Sequence, residues 1–305
     1  MFIADAHCDT LYRIAIQHDA PERCMITAQR LAQGQVGLQT FAMFAGGQGV
    51  KGHPYENGQA MLAARDKPGV PLYLRALPDD PPGTPHGVLS IEGGEMLEGS
   101  LERLHEFDEA GRLRMIALTW NNENQIGHSS KEDSAEGLKP FGLRLLGEMD
   151  RLGILPDCSH LNEAGFWDVA EHAALPPIAS HSNLKRLCGH RRNLTDEQVK
   201  AIVERGGFIG INFYAPFLSD GENATLEDVL RHIDGIAQLG GIDVLGFGSD
   251  FDGIEAWPEG LGDPTGFAGL IDLLEKHGYS QEDIAKIAGK NLWNVMKRAE
   301  RARKA

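Results

Sequence analysis

Apolar runs of strand length recur along this chain with helical patterns between them. The predicted strands cover residues 1–6, 37–44, 87–91, 113–118, 154–158, 177–180, 207–213 and 243–248. The 3.6-residue pattern predicts helices over 11–17, 57–65, 138–152, 226–239, 267–277 and 281–303. Strands that alternate with helices argue for a parallel sheet with crossover helices. Eight such units fit an α/β fold of the (β/α)8 TIM-barrel type, with residues 1–305 as a single domain. An open doubly wound sheet is the runner-up. The proline-rich stretch 78–85 is too short and too early for a domain linker.

Loop chemistry changes this picture little. The stretch 46–52 contains Gly47, Gly49 and Gly52 at dinucleotide-fingerprint spacing, but His53-Pro54 follows where a helix should open, so a flexible loop is the better reading. Composition is that of an ordinary globule, with 42% hydrophobic and 24% charged residues. The formal net charge of -15 argues against nucleic acid and anionic membrane surfaces as partners. The basic cluster at 297–304 reads as a helix end whose cations complement the dipole. With no membrane-length apolar stretch and no leader pattern, the expected location is cytoplasmic. Cys8, Cys24, Cys158 and Cys188 lack metal or redox spacing, and Cys8 and Cys158 read as small buried fillers.

The chemistry concentrates at the strand ends. His7 and Asp9 end strand one, Glu92 strand three, His160 strand five, His181 strand six and Asp250 strand eight. In a barrel these carboxyl ends converge on one mouth, where active sites of the fold lie. Singly, each residue has a bland reading as a core histidine, loop carboxylate or turn cap; together they predict a metal site. Nitrogen and oxygen donors without thiolates suit zinc, with manganese, cobalt or iron as alternatives. Three histidines and two carboxylates exceed one catalytic zinc, so two metals bridged by Glu92 use the set economically.

The segments Asp5-Ala6-His7-Cys8-Asp9, Ile91-Glu92-Gly93-Gly94, Asp157-Cys158-Ser159-His160, Ser180-His181-Ser182-Asn183, Arg191-Arg192-Asn193, Asn212-Phe213-Tyr214 and Gly248-Ser249-Asp250-Phe251-Asp252-Gly253 resemble the membrane (renal) dipeptidase family of the amidohydrolase superfamily. The resemblance runs over nearly the whole chain in the same order. It implies a binuclear Zn2+ barrel with His7 and Asp9 on one metal, His160 and His181 on the other and Glu92 bridging. It also implies a homodimer. Two positions depart from mammalian members. Trp120 stands where they carry a histidine thought to polarise the scissile carbonyl; its indole N–H can donate one hydrogen bond but carries no charge, and Asn121 and Asn122 are candidate substitutes. Phe217 stands in place of a tyrosine that helps hold the substrate carboxylate, which leaves more of that task to Arg192. Trp120, Asn121, Tyr214 and Phe217 are thus expected substrate contacts.

The implied reaction is metal-assisted amide hydrolysis of dipeptides, including those with a D-residue at the carboxyl end. A hydroxide bridging two zinc ions would attack, Asp250 would carry the proton to the leaving amine, and Arg192 would hold the terminal carboxylate. An N-acyl amino acid deacylase needs the same set and is the alternative enzyme. A metal-bound binding protein without catalysis is the alternative of another class, and the presence of Asp250 argues against it. Without the resemblance, Arg192 reads as one half of a surface salt bridge and Asp252 as loop structure.

Overall fold

A computed structural model describes residues 1–46, 52–221 and 223–304. Most of the glycine-rich loop at 46–52 lies outside the described residues. Eight parallel strands form the centre: β1 Ile3–Asp5, β2 Val36–Phe44, β3 His86–Glu92, β4 Leu113–Ala117, β5 Leu155–Asp157, β6 Ile178–Ala179, β7 Phe208–Ile211 and β8 Leu245–Phe247. Each falls within one residue of the apolar run that predicts it. Neighbours run β2-β1-β8-β7-β6-β5-β4-β3, and β2 pairs back to β3 from Leu38↔His86 to Phe44↔Glu92. That last ladder closes the sheet, so the fold is the (β/α)8 barrel and not the open doubly wound sheet.

The two-residue period of the strands sorts their side chains between two cores. Leu89 and Ile91 face outward and pack with the surrounding helices. Val88, Met115, Leu155, Ile178 and Phe208 face the other way and pack with the C-terminal helix. Continuing the inward phase toward the carboxyl ends turns apolar residues into polar ones: Val88 leads to Ser90 and Glu92, Leu155 to Asp157, and Ile178 to Ser180. The barrel is therefore plugged by hydrocarbon at one end and lined with polar groups at the other.

Helices occupy Thr10–Ala15, Pro54–Ala64, Pro140–Leu152, Leu226–Ala237 and Phe267–His277, as the periodicity predicts. The structure adds helices at Ala28–Gln33, Leu101–Gly111, Glu163–His172 and Asp196–Arg205, and a short strand Leu72–Tyr73 beside the start of β3. The helices Glu163–His172 and Asp196–Arg205 bury thin stripes, Phe166 with Val169 and Val199 with Ile202, which makes their period weak. Their caps are the stronger signal: the Asn162 side chain accepts from the Gly165 N–H, and Thr195 with Gln198 forms a capping box.

The long helical pattern at 281–303 is interrupted. Helices Gln281–Ala285 and Asn291–Ala302 flank a π-helical turn, Lys286–Lys290. Within it Gly289 approaches β1 so closely that a Cβ there would lie 2.9 Å from the Ala4 nitrogen. The last helix then buries Trp293, Val295 and Met296 against the hydrocarbon end of the barrel, with Trp293 edge-on to Phe2 at 5.8 Å. The basic cluster at its end ties loops to the barrel: Lys297 Nζ donates to the Leu77 carbonyl at 2.9 Å, and Arg303 donates to Asp108 at 2.7 Å. No helix among the described residues is long and apolar enough to cross a membrane.

Candidate active site

The polar end of the barrel gathers all six chemistry-bearing strand-end residues. β1 and β8 continue past their formal ends as a zipper: the Asp250 N–H donates to the His7 carbonyl at 3.2 Å, and the Asp9 N–H to the Phe251 carbonyl at 2.9 Å. This pairing brings His7 Nε2 within 3.5 Å of Asp9 Oδ2 and 3.8 Å of Asp250 Oδ1. Asp250 and His160 adopt left-handed backbone, with φ of 65° and 71°. Such conformations in non-glycine residues cost free energy and persist where the surroundings enforce them. Gly253 lies against this group, where any Cβ would overlap Asp9 Oδ2.

Glu92 stands between two sets of imidazoles. Its Oε2 lies 3.6 Å from His7 Nε2. Its Oε1 lies 2.9 Å from His160 Nε2 and 3.4 Å from His181 Nε2, and those two nitrogens are 3.0 Å apart. The tautomers follow from the outer partners. The Ser180 hydroxyl donates to Asp157, so Ser180 Oγ accepts from His181 Nδ1 at 2.7 Å. The Asn121 amide oxygen lies 3.2 Å from His160 Nδ1 and can only accept. Both rings therefore hold their proton on Nδ1 and turn unprotonated Nε2 atoms toward Glu92 Oε1.

Burial, reinforced by Arg192, pushes His160 down to about 4. Burial with the neighbouring His7 takes His181 well below its usual value. Both rings stay neutral. Burial also disfavours a charge on His7, but Glu92 and Asp9 outweigh it and raise that group. Three acceptor atoms pointing at one another repel unless a cation lies among them. His7 Nε2 and Asp9 Oδ1 are likewise buried without a hydrogen-bond partner among the described residues. His7 with Glu92 and His181, and His7 with Asp9 and Asp250, each place their ligand atoms within 4.8 Å of one another. The donor set fits divalent cations, which would replace the proton that these carboxylates otherwise hold on His7.

The centre opens into a pocket of about 380 Å³ whose wall includes Trp120, Asn121, Arg192, Tyr214 and Phe217. Arg192 is buried at 4% exposure and has no carboxylate within ion-pair distance among the described residues, which overturns its reading as a surface salt bridge. Its terminal nitrogens donate to Ser182 Oγ at 3.2 Å and to the His181 carbonyl at 3.3 Å, and its buried Nε–H has no partner among the described residues. Of its four terminal N–H groups, two remain for a ligand. Burial lowers its pKa to about 10 against the pull of Asp250, so it stays charged at neutral pH. Its guanidinium lies 5.6 Å from the Phe217 ring centre. Tyr214 donates to Glu255 at 2.7 Å, at the rim.

Trp120 offers ring surface, 4.7 Å from the Phe44 ring and 6.2 Å from that of His160. Asp252 is loop structure, as expected: it accepts from the Thr10 hydroxyl at 2.6 Å and the Met25 N–H at 2.7 Å. Cys8 and Cys158 are free and buried, which fits their reading as fillers. Sequence reasoning assigned no role to Asn212, whose amide donates to Asp250 Oδ2 at 2.9 Å, nor to Ser180 and Asp157 behind His181. The signal for these is the polar phase at the strand ends.

Residues 83–305 match the family model described as membrane dipeptidase, peptidase family M19. An uncharacterized Klebsiella pneumoniae protein from the pqqA 5′ region is 39% identical over 220 residues, 69% of this chain and 80% of that protein. An uncharacterized dipeptidase of Schizosaccharomyces pombe is 34% identical over 217 residues, 70% of this chain; the matched region spans 53% of that longer relative. The structure of a metallopeptidase named dipeptidase AC superposes with a TM-score of 0.88 at 28% identity, over 98% of each chain. A Rhodobacter sphaeroides metallopeptidase liganded with a phosphinate mimic of L-Ala-D-Ala gives 0.85 at 27% identity, over 98% of this chain and 99% of that one.

Proposed function

Because the chain belongs to the membrane dipeptidase family, peptidase family M19, we propose that it hydrolyses dipeptides at a binuclear zinc centre, including dipeptides with a D-residue at the carboxyl end. The observation that carries the reading is the division of Glu92, one oxygen toward His7 and the other toward His160 and His181, beside a buried Arg192 with free donors. His7 and Asp9 would hold one cation, His160 and His181 the other, and Glu92 both. Bound there, the pair supplies Lewis-acid polarisation and lowers the pKa of water toward neutrality.

The protein's own groups do the rest. Arg192 receives the terminal carboxylate on its two free terminal N–H groups and so fixes the register of the scissile amide. The Asn212 amide holds Asp250 Oδ2, which leaves Oδ1 facing His7 and the bound amide. In that orientation Asp250 takes the proton of the attacking water and returns it to the departing nitrogen. Neutral His160 and His181 stay in place through Asn121 and through Ser180 with Asp157.

The test is to assay the zinc-loaded protein against dipeptides and N-acyl amino acids, with Asp250→Asn alongside. Turnover of dipeptides is expected, lost by at least about a hundredfold in the variant with zinc content retained. Turnover confined to N-acyl amino acids would replace the substrate class, and an active Asp250→Asn enzyme would remove the assigned proton carrier. Inactivity toward both classes would favour the binding-protein reading.

A further inference from the structure

Three rings in contact line one side of the pocket. Tyr12 from helix Thr10–Ala15 meets Phe44 edge-on at 5.2 Å, and Phe44, the last residue of β2, meets Trp120 at 4.7 Å. Trp120 follows β4 and continues onto the His160 ring at 6.2 Å. All three border the pocket. Among the described residues that line the pocket beside these rings, the cation Arg13 is occupied by Asp19 at 2.6 Å.

Barrel order places this wall. β2 and β4 flank β3, which carries Glu92, and an eight-strand barrel sets β3 opposite β7. Arg192 and Phe217 follow β6 and β7, so they lie across the mouth from Phe44 and Trp120, with the His7–Glu92–His181 group between. Resting on the dipeptidase reading, the direction of a bound substrate follows. A terminal carboxylate on Arg192 and a scissile carbonyl over the central group leave the amino-terminal residue on the far side. Its side chain faces the rings.

We infer that Tyr12, Phe44 and Trp120 form the subsite for the side chain of the amino-terminal residue, and that the preferred substrates are dipeptides beginning with a large apolar or aromatic residue. Phe44 is in the inward phase of β2, so its ring is presented to the mouth by the strand itself. Burying an aromatic side chain in such a site favours it over hydrogen by about tenfold or more in kcat/KM.

The experiment compares Gly-Ala, Leu-Ala and Phe-Ala with the mirrored Ala-Gly, Ala-Leu and Ala-Phe on the zinc-loaded enzyme, and repeats the set with Phe44→Ala and Tyr12→Ala. A ratio of two substrates on one preparation is independent of the folded fraction, so a destabilised variant still reports. Calorimetric binding of phosphinate analogues of Phe-Ala and Gly-Ala gives a readout without turnover. Expected are a Phe-Ala to Gly-Ala ratio of about ten or more, the same order in analogue affinity, and collapse of both ratios in the two variants. The mirrored series should vary less. Equal kcat/KM for Phe-Ala and Gly-Ala, a preference seen only at the second residue, or ratios unchanged in both variants would overturn the assignment while leaving the dipeptidase reading intact. Absence of turnover for all six peptides would overturn that reading and this subsite with it.

Discussion

Glu92 and Glu95 lie three residues apart and meet opposite fates. Glu92 is held well below its usual value: burial would raise it, and the charge on His7 is the largest influence that lowers it. Glu95 has no such company: no cation lies beside its buried carboxyl among the described residues, and burial pushes its pKa up to about 7. In the unfolded chain it ionises near 4.5, so between pH 4.5 and 7 the folded state binds the extra proton. Its contribution to stability is complete below the lower value and declines as pH rises through the upper one. Glu95→Gln cannot ionise and should be more stable than the parent above pH 7, by up to about 3 kcal/mol, with the advantage fading toward pH 4.5. Thermal unfolding of both proteins at pH 5 and pH 8 checks this; a difference that does not change with pH would refute it. His7, Asp9, Glu92, His160, His181 and Asp250 were legible as a group because each sits at a strand end. Glu95 was not, because its burial comes from loops distant in sequence.

At the scale of elements, the strand ends act as a bracing layer beneath the candidate ligands. Asp157 at the end of β5 accepts from the Ser159 and Ser180 N–H groups, each at 2.9 Å, as well as from the Ser180 hydroxyl that orients His181. One carboxylate thus ties the turn after β5 to the turn after β6. Removing the outer partner of a metal-binding histidine commonly costs ten- to a hundredfold in metal affinity. Ser180→Ala should therefore lower affinity for zinc by about tenfold or more while the far-ultraviolet circular dichroism stays that of the parent. Competition with a chromophoric chelator measures it, and unchanged affinity would show that Ser180 does not orient the ring. The strands are readable because, buried on both faces, they stand out as continuous apolar runs. The helices Glu163–His172 and Asp196–Arg205 are not legible by period, because their apolar stripes are thin and their caps carry more information.

For the molecule as a whole, the C-terminal helix closes the barrel end opposite the site. Buried Arg114 on β4 donates to Glu300 at 2.7 Å and to the carbonyls of Leu74 and Arg75, so this pair joins the last helix to the barrel wall. Glu300→Ala leaves a buried guanidinium without its counter-charge, at a cost of about 3 kcal/mol. The expected outcome is a Tm lower by several degrees with dipeptide turnover at 25 °C unchanged, because the site lies at the other end. A turnover loss that matches the stability loss would show that the two ends are coupled.

By itself the sequence determined the barrel class, the eight strand positions and the six strand-end residues, because these rest on local period and on residue type at period breaks. It also carried the family likeness, which the matched relatives bear out. Only the tertiary structure decided that Arg192 is buried and aimed inward, that Asn121 and Ser180 hold the Nδ1 atoms of His160 and His181, and that Trp120 joins Phe44 and Tyr12 in one wall. The physical reason is contact distance along the chain. Tyr12, Phe44 and Trp120 belong to three different strand-helix units, and no local pattern reports which side chains meet when a sheet closes on itself.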